Sequence, residues 1–145
     1  MVIIIPLVTQ DSSSFYLVMS ARDEVNGRSQ GNWQLKRVSS STGPHNGTYL
    51  SDAIRQPQSV AGQTSLLWRA DSQKANGWKP GHSYRFSLIH RPGLGLIKLQ
   101  LWEGGSLIAD SGNIIDDGQD SLRGGRLGVY CDSQELITWA ALSYR

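Results

Sequence analysis

The sequence predicts an all-β sandwich with one short helix. Apolar residues recur at every second position in six separate segments, the pattern of half-buried strands. Pro-Gly and Gly-Gly pairs stand between such segments, where tight turns need them. Five Trp and sixteen Gly add to a turn-rich composition. At 145 residues the chain is read as one domain, long enough to bury about two thirds of its unfolded surface.

In chain order, Val2 to Val8 is an apolar run too short to span a bilayer. It has neither the basic flank nor the small-residue cleavage site of a signal peptide, and it reads as a strand. Phe15, Leu17 and Met19 share one strand face, as do Trp33 and Leu35. The helix is expected over Thr48 to Pro57, where Leu50, Ala53 and Ile54 lie together and Pro57 stops the run. Tyr84, Phe86 and Leu88 form the next face, then Ile97, Leu99 and Leu101. "HRPGLG" separates those two segments and "EGGS" follows the second, so roughly Ser83 to Ser111 is an antiparallel meander. Leu127, Val129 and Cys131 make a further face, and Leu136, Thr138, Ala140 and Leu142 the last.

Composition excludes several functions. The net charge of +2 comes from 14 basic and 12 acidic residues spread along the chain, so no basic face tracks phosphates and nucleic acid is not expected as a partner. With the single Cys131, neither an internal disulfide nor a cysteine metal cluster can form, and the phase of its strand makes the thiol a buried, inert one. His45, His82 and His90 lack metal-ligand spacing, and His90 is read as a hydrogen-bonded residue at a hairpin. The only glutamates are Glu24, Glu103 and Glu135, none arranged as the paired carboxylates of a glycosidase. There is no G-x-S-x-G elbow and no phosphate-binding glycine loop. No catalytic residue is assigned.

The segments "SSSFYLVM" (Ser12 to Met19), "STGP" (Ser41 to Pro44), "LLWRADSQKANGWK" (Leu66 to Lys79), "YRFSLIHRPGLGLIKL" (Tyr84 to Leu99), "EGGSLIADSGNIID" (Glu103 to Asp116) and "GGRLGVYCDSQE" (Gly124 to Glu135) together resemble the thrombospondin C-terminal domain, in order and spacing. The resemblance implies a jelly-roll-type antiparallel sandwich of the L-type-lectin kind. It further implies a secreted extracellular protein whose role is adhesion to cell-surface receptors or matrix rather than catalysis, with calcium as the bound ion. The family's domain starts some tens of residues earlier, with strands and a cysteine that closes a disulfide to the C-terminal end, and it follows calcium-loaded repeats. On that comparison residues 1–145 are expected to be a single thrombospondin C-terminal-like domain lacking its first strands.

Site residues follow from the same comparison. Two strands proposed in the family as receptor motifs match at Phe15, Tyr16, Val18 and Met19, and at Ile97 with Lys98 as the basic residue. Ser14 replaces the family's arginine, and Leu99, Gln100 and Leu101 replace Val-Val-Met. An alternating apolar run is packing first, so the structural reading stands beside the receptor one. "NGT" at Asn46 is a glycosylation sequon. "NGW" reads as a turn, with Gly77 at positive φ and Trp78 over the sandwich edge; an exposed Trp78 would instead stack on a sugar, which keeps a calcium-dependent lectin-like module open as the alternative.

The acidic stretch "IADSGNIIDDGQDSLRGG" carries Asp110, Asn113, Asp116, Asp117 and Asp120. Calcium takes six to eight oxygens, but the spacing fits no EF-hand loop. Asp110 and Asp116 fall in segments matching the family and are the candidates for a structural or calcium role. Asp117 and Asp120 are expected to face water.

Overall fold

A computed structural model of the chain describes residues 2–9, 14–21, 32–39, 56, 58–70, 77–126, 130–132 and 137–140. These form nine antiparallel strands, β1 (Val2–Thr9), β2 (Ser14–Ala21), β3 (Gln34–Ser39), β4 (Thr64–Arg69), β5 (Tyr84–Arg91), β6 (Leu96–Glu103), β7 (Ser106–Asp110), β8 (Ile114–Ile115) and β9 (Tyr130–Asp132). The first sheet has the order β4-β3-β2-β1-β9. In the second, β5 lies on one side of β6, while β7 and β8 share the other.

The meander forms as expected. Pro92 to Leu94 make one turn of 3-10 helix between β5 and β6, and Gly95 closes it at φ 61°. That glycine is required twice over, because a Cβ there would also lie 2.6 Å from the backbone oxygen of Asp116. Gly104 and Gly105, at φ 53° and 90°, form the two-residue β6–β7 turn whose twist matches that of the strands.

The sheets pack face to face. Trp33, which leads into β3, meets the rings of Phe86 and Tyr84 on β5 at 5.3 Å and 5.7 Å. Ile97, Leu99 and Leu101 of β6 are fully buried in the same cluster as Val18 and Leu35, each stabilising the fold by about 1.5–3 kcal/mol relative to exposure. Tyr84, Phe86 and Leu88 pack against that cluster as half-buried residues.

Two expectations about strand faces change. Phe15, Leu17 and Met19 are buried, but it is Tyr16 and Val18 that belong to the core between the sheets. Register explains this: Tyr16 pairs with Arg37 and Val18 with Leu35 on the inner side, whereas Leu17 pairs with Lys36 on the outer. Both faces of β2 are thus covered, and a strand buried on both sides is continuously apolar rather than alternating. Lys36 is buried on that outer face, where its ammonium bonds the Gln56 carbonyl and burial pushes its pKa down to about 8.

The last expected face also fails. Residues 137–140 form no strand; Thr138 and Ala140 are exposed and it is Ile137 that packs on the core. A phase error of one residue reverses every side chain of a period-two reading. The described residues do not include Leu127, Val129, Leu136, Leu142 or Asn46, nor, apart from Gln56, the expected helix; the side chain of Cys131 also lies outside the description.

Candidate functional site

Two groups of polar side chains stand out, one between the sheets and one at the surface. Arg37 follows Leu35 on the inner face of β3, so alternation aims its guanidinium into the sandwich. Asp116 lies just past β8, held there by its own N–H donating to the Gly95 carbonyl at 2.8 Å. The Arg37 guanidinium donates to Asp116 Oδ1 and reaches Ser65 Oγ at 3.4 Å. Tyr16 donates its hydroxyl proton to Asp116 Oδ2 at 2.6 Å and accepts the Leu122 N–H at 3.1 Å. The His90 ring stands edge-on to Tyr16, 5.5 Å away. One carboxylate from the second sheet thus ties together β2 and β3 of the first.

This environment moves two protons. Burial, then the hydrogen bond to Asp116, pushes the Tyr16 phenol up from 10.0 to about 12. Burial holds the His90 imidazole below its ordinary value, against the opposite pull of the Leu122 backbone and Asp116. For Tyr16 the folded value lies above the unfolded one, so its contribution is intact below pH 10.0 and is lost as the pH rises towards about 12. A tyrosinate absorbance titration is expected to show two phenols, Tyr16 and Tyr84, lagging the others because burial raises both, and Tyr16→Phe to remove the Tyr16 step while leaving that of Tyr84. Ionisation of all tyrosines together at the ordinary value would contradict it.

The second group lines a shallow cleft of Lys79, His82, Glu103, Ser106 and Ile108. Glu103 accepts from Lys79 at 3.2 Å and from the Tyr84 hydroxyl at 3.3 Å, and His82 Nδ1 lies 2.6 Å from the same oxygen. Burial pulls the Glu103 carboxyl upward, but its bonds to Lys79 and His82 prevail and hold it below its ordinary value. A carboxylate so surrounded by donors is held as an anion and is a poor proton acceptor.

Asp110 ends β7 as a bracket for a break in the sheet edge. Its Oδ1 accepts the Gly112 N–H at 2.8 Å; Oδ2 accepts from Gln100 at 2.6 Å and faces Lys98 at 3.5 Å. The Gln100 bond first, then the Gly112 N–H, keep its carboxyl below the usual range. Ser111 Oγ takes the Leu99 N–H at 2.9 Å, carrying the ladder across the gap before β8.

Asp110 and Asp116 are therefore not brought together, and each already faces a cation, Lys98 or Arg37. A carboxylate compensated in this way does not fit as a calcium ligand, which needs several uncommitted oxygens on one ion. Among the described residues no three His, Cys, Asp or Glu side chains gather as a metal site. Asp117 and Asp120 face water as expected. Of the receptor-motif residues, Phe15, Tyr16, Val18, Met19 and Ile97 are buried, while the Lys98 side chain is 28% exposed. Gly77 has φ 71°, as its turn requires, and Trp78 packs half-buried against the core with its indole nitrogen enclosed.

Arg37 is the site residue that the sequence reading missed. Its signal was available: "LKRV" places two adjacent cations inside a strand, so one of them has to point inward.

Comparison with known proteins places the whole sandwich. The profile of the thrombospondin C-terminal region matches residues 4–145. Thrombospondin-3b of Danio rerio is 45% identical over 94% of this chain and 15% of its own length. Cartilage oligomeric matrix protein of Bos taurus is 44% identical over 94% of the chain and 18% of its own length. Thrombospondin-4 of Mus musculus is 44% identical over 94% and 14%. The chain spans less than a fifth of each of these relatives. With the match running almost from end to end of a two-sheet sandwich, the chain belongs to the thrombospondin C-terminal region family of extracellular matrix proteins.

Proposed function

We propose that the chain is a noncatalytic interaction module that binds a cell-surface or matrix protein in the extracellular space. The observation that carries this reading is the 44% identity, over 94% of the chain, to a relative named for the matrix of cartilage. The sandwich suits the role, because a core cross-braced by Asp116 presents its outer faces as rigid surfaces, and a rigid surface loses little entropy on binding.

The partner surface on this reading does not include the buried receptor-motif residues Phe15, Tyr16, Val18, Met19 and Ile97. Contact through Tyr16, Val18 or Ile97 would require the sheets to part, since all three belong to the core between them. Calcium, which the family resemblance implies, acts away from Asp110 and Asp116 wherever it binds this chain. Trp78 gives the lectin-like alternative no support, because the ring is committed to the core. No helix among the described residues is long and apolar enough to cross a membrane.

Labelled chain applied to decellularised cartilage and to cultured cells, with calcium or with a chelator, tests the proposal. Saturable retention competed by unlabelled chain is the expected result. Retention on neither support would overturn the reading, and calcium-dependent binding confined to a glycan array would replace it with the lectin-like one.

A further inference from the structure

The outward side of the second sheet follows from its register. Opposite residues share a face, so the outward rows are Arg85–Trp102–Leu107, Ser87–Gln100–Asp110 and Arg91–Leu96–Ile115, with Ile89 beside Lys98 between the last two. Leu107 is 49% exposed, Ile115 59% and Ile89 42%. These apolar residues are not scattered; they lie towards the two ends of one face, with a polar band between.

Each end carries an arginine on β5. The Arg85 guanidinium lies 4.2 Å from the centre of the Trp102 ring. Arg91 stands across Leu96 from Ile115. In the polar band Lys98 is matched by Asp110, but neither arginine has a carboxylate within ion-pair distance among the described residues. The face therefore presents two apolar pads, each flanked by an uncompensated cation. Arg85 and Arg91 are six positions apart on one strand, a separation of about 20 Å.

We propose that this face docks an extended polypeptide that presents an apolar side chain next to an acidic one, twice, about six residues apart. Charge complementarity selects acidic residues opposite Arg85 and Arg91. The aliphatic pads select a polypeptide over a sulfated polysaccharide, because Leu107 and Ile115 gain from losing water only against apolar atoms. The four short strands offer a small area, so the contact is of the weak, transient size class. This inference rests on the matrix-interaction reading and gives that reading a surface.

Selection of a display library of random linear peptides on the full 145-residue chain is the test. The expected peptides carry Asp or Glu beside Leu, Ile or Phe at two places with the stated spacing. Arg85→Glu with Leu107→Ser is expected to weaken them about tenfold or more, and Arg91→Glu with Ile115→Ser to do the same independently. All four positions are at the surface, so the melting temperature of both variants should match the parent and loss of fold is read separately. Enriched peptides without acidic residues, or affinity unchanged in both variants, would overturn the proposal. So would binding of heparin-derived oligosaccharides lost in the same variants without any acidic-apolar enrichment, which would assign the face to polysaccharide. Equal retention of parent and variants on cartilage matrix would overturn the docking face while leaving the matrix reading standing. Failure of the parent itself on matrix would end that reading, with the peptide selection still deciding the face.

Discussion

Asp116→Ala is expected to lower stability by about 3–5 kcal/mol, because removing one partner of a buried ion pair leaves the other buried and unmatched. In a chain of this size that corresponds to a fall in melting temperature on the order of 10 °C. Three consequences combine. The Arg37 guanidinium loses its counter-charge, the Tyr16 hydroxyl loses its acceptor, and the strand from the second sheet loses its tie to β2 and β3. The double variant Arg37→Met, Asp116→Leu should recover most of the loss, since an apolar pair of similar volume often replaces a buried ion pair at little cost. Thermal or urea unfolding of the single and double variants measures both terms. Additive losses in the double variant would show that the two residues stabilise the sandwich separately.

Trp33→Ala should cost about 3–5 kcal/mol by a different mechanism, a cavity between the sheets. Trp33 is fully buried and is the side chain through which β3 meets both Tyr84 and Phe86. Trp33→Phe should cost less than half as much. Its indole nitrogen is buried without a hydrogen-bond partner, a state that itself costs about 1–3 kcal/mol, so a smaller ring without that group gives back part of the lost packing. Equal losses for the two variants in urea unfolding would contradict this account.

The sequence was most legible where local chemistry decides structure. Pro92, Gly95 and the Gly104–Gly105 pair carry backbone requirements that only a turn explains, and β5, β6 and β7 follow from them. Alternation was reliable for β6, which has one face on the core and one facing out. For β2 it marked residues that are buried but not which face meets the second sheet, because "FYLVM" is apolar at every position and contains no phase information. At residues 137–140, with no ladder to impose a period, the single packed residue fell out of phase.

The site was half legible for a related reason. Asp116 was singled out for its acidity and Tyr16 for its family match, yet nothing local connects residues 100 positions apart. Their meeting depends on how the sheets stack, which brings Arg37 and Asp116 together across the core. Electrostatic pairing of that kind is a tertiary fact. The composition that suggested a cation site was real, and the cation is supplied by the protein's own arginine.

The break between β7 and β8 has a bearing on how many copies can coexist. An exposed strand edge is a template on which another chain can add, and a module suited to a crowded matrix risks assembling with itself. Here the edge runs for five residues and is then bent by Asp110, with Ser111 consuming the Leu99 N–H before the ladder resumes for two. No incoming strand finds a continuous row of free donors and acceptors along it. The same aspartate that ends a strand thus makes this edge a short and interrupted template for another strand.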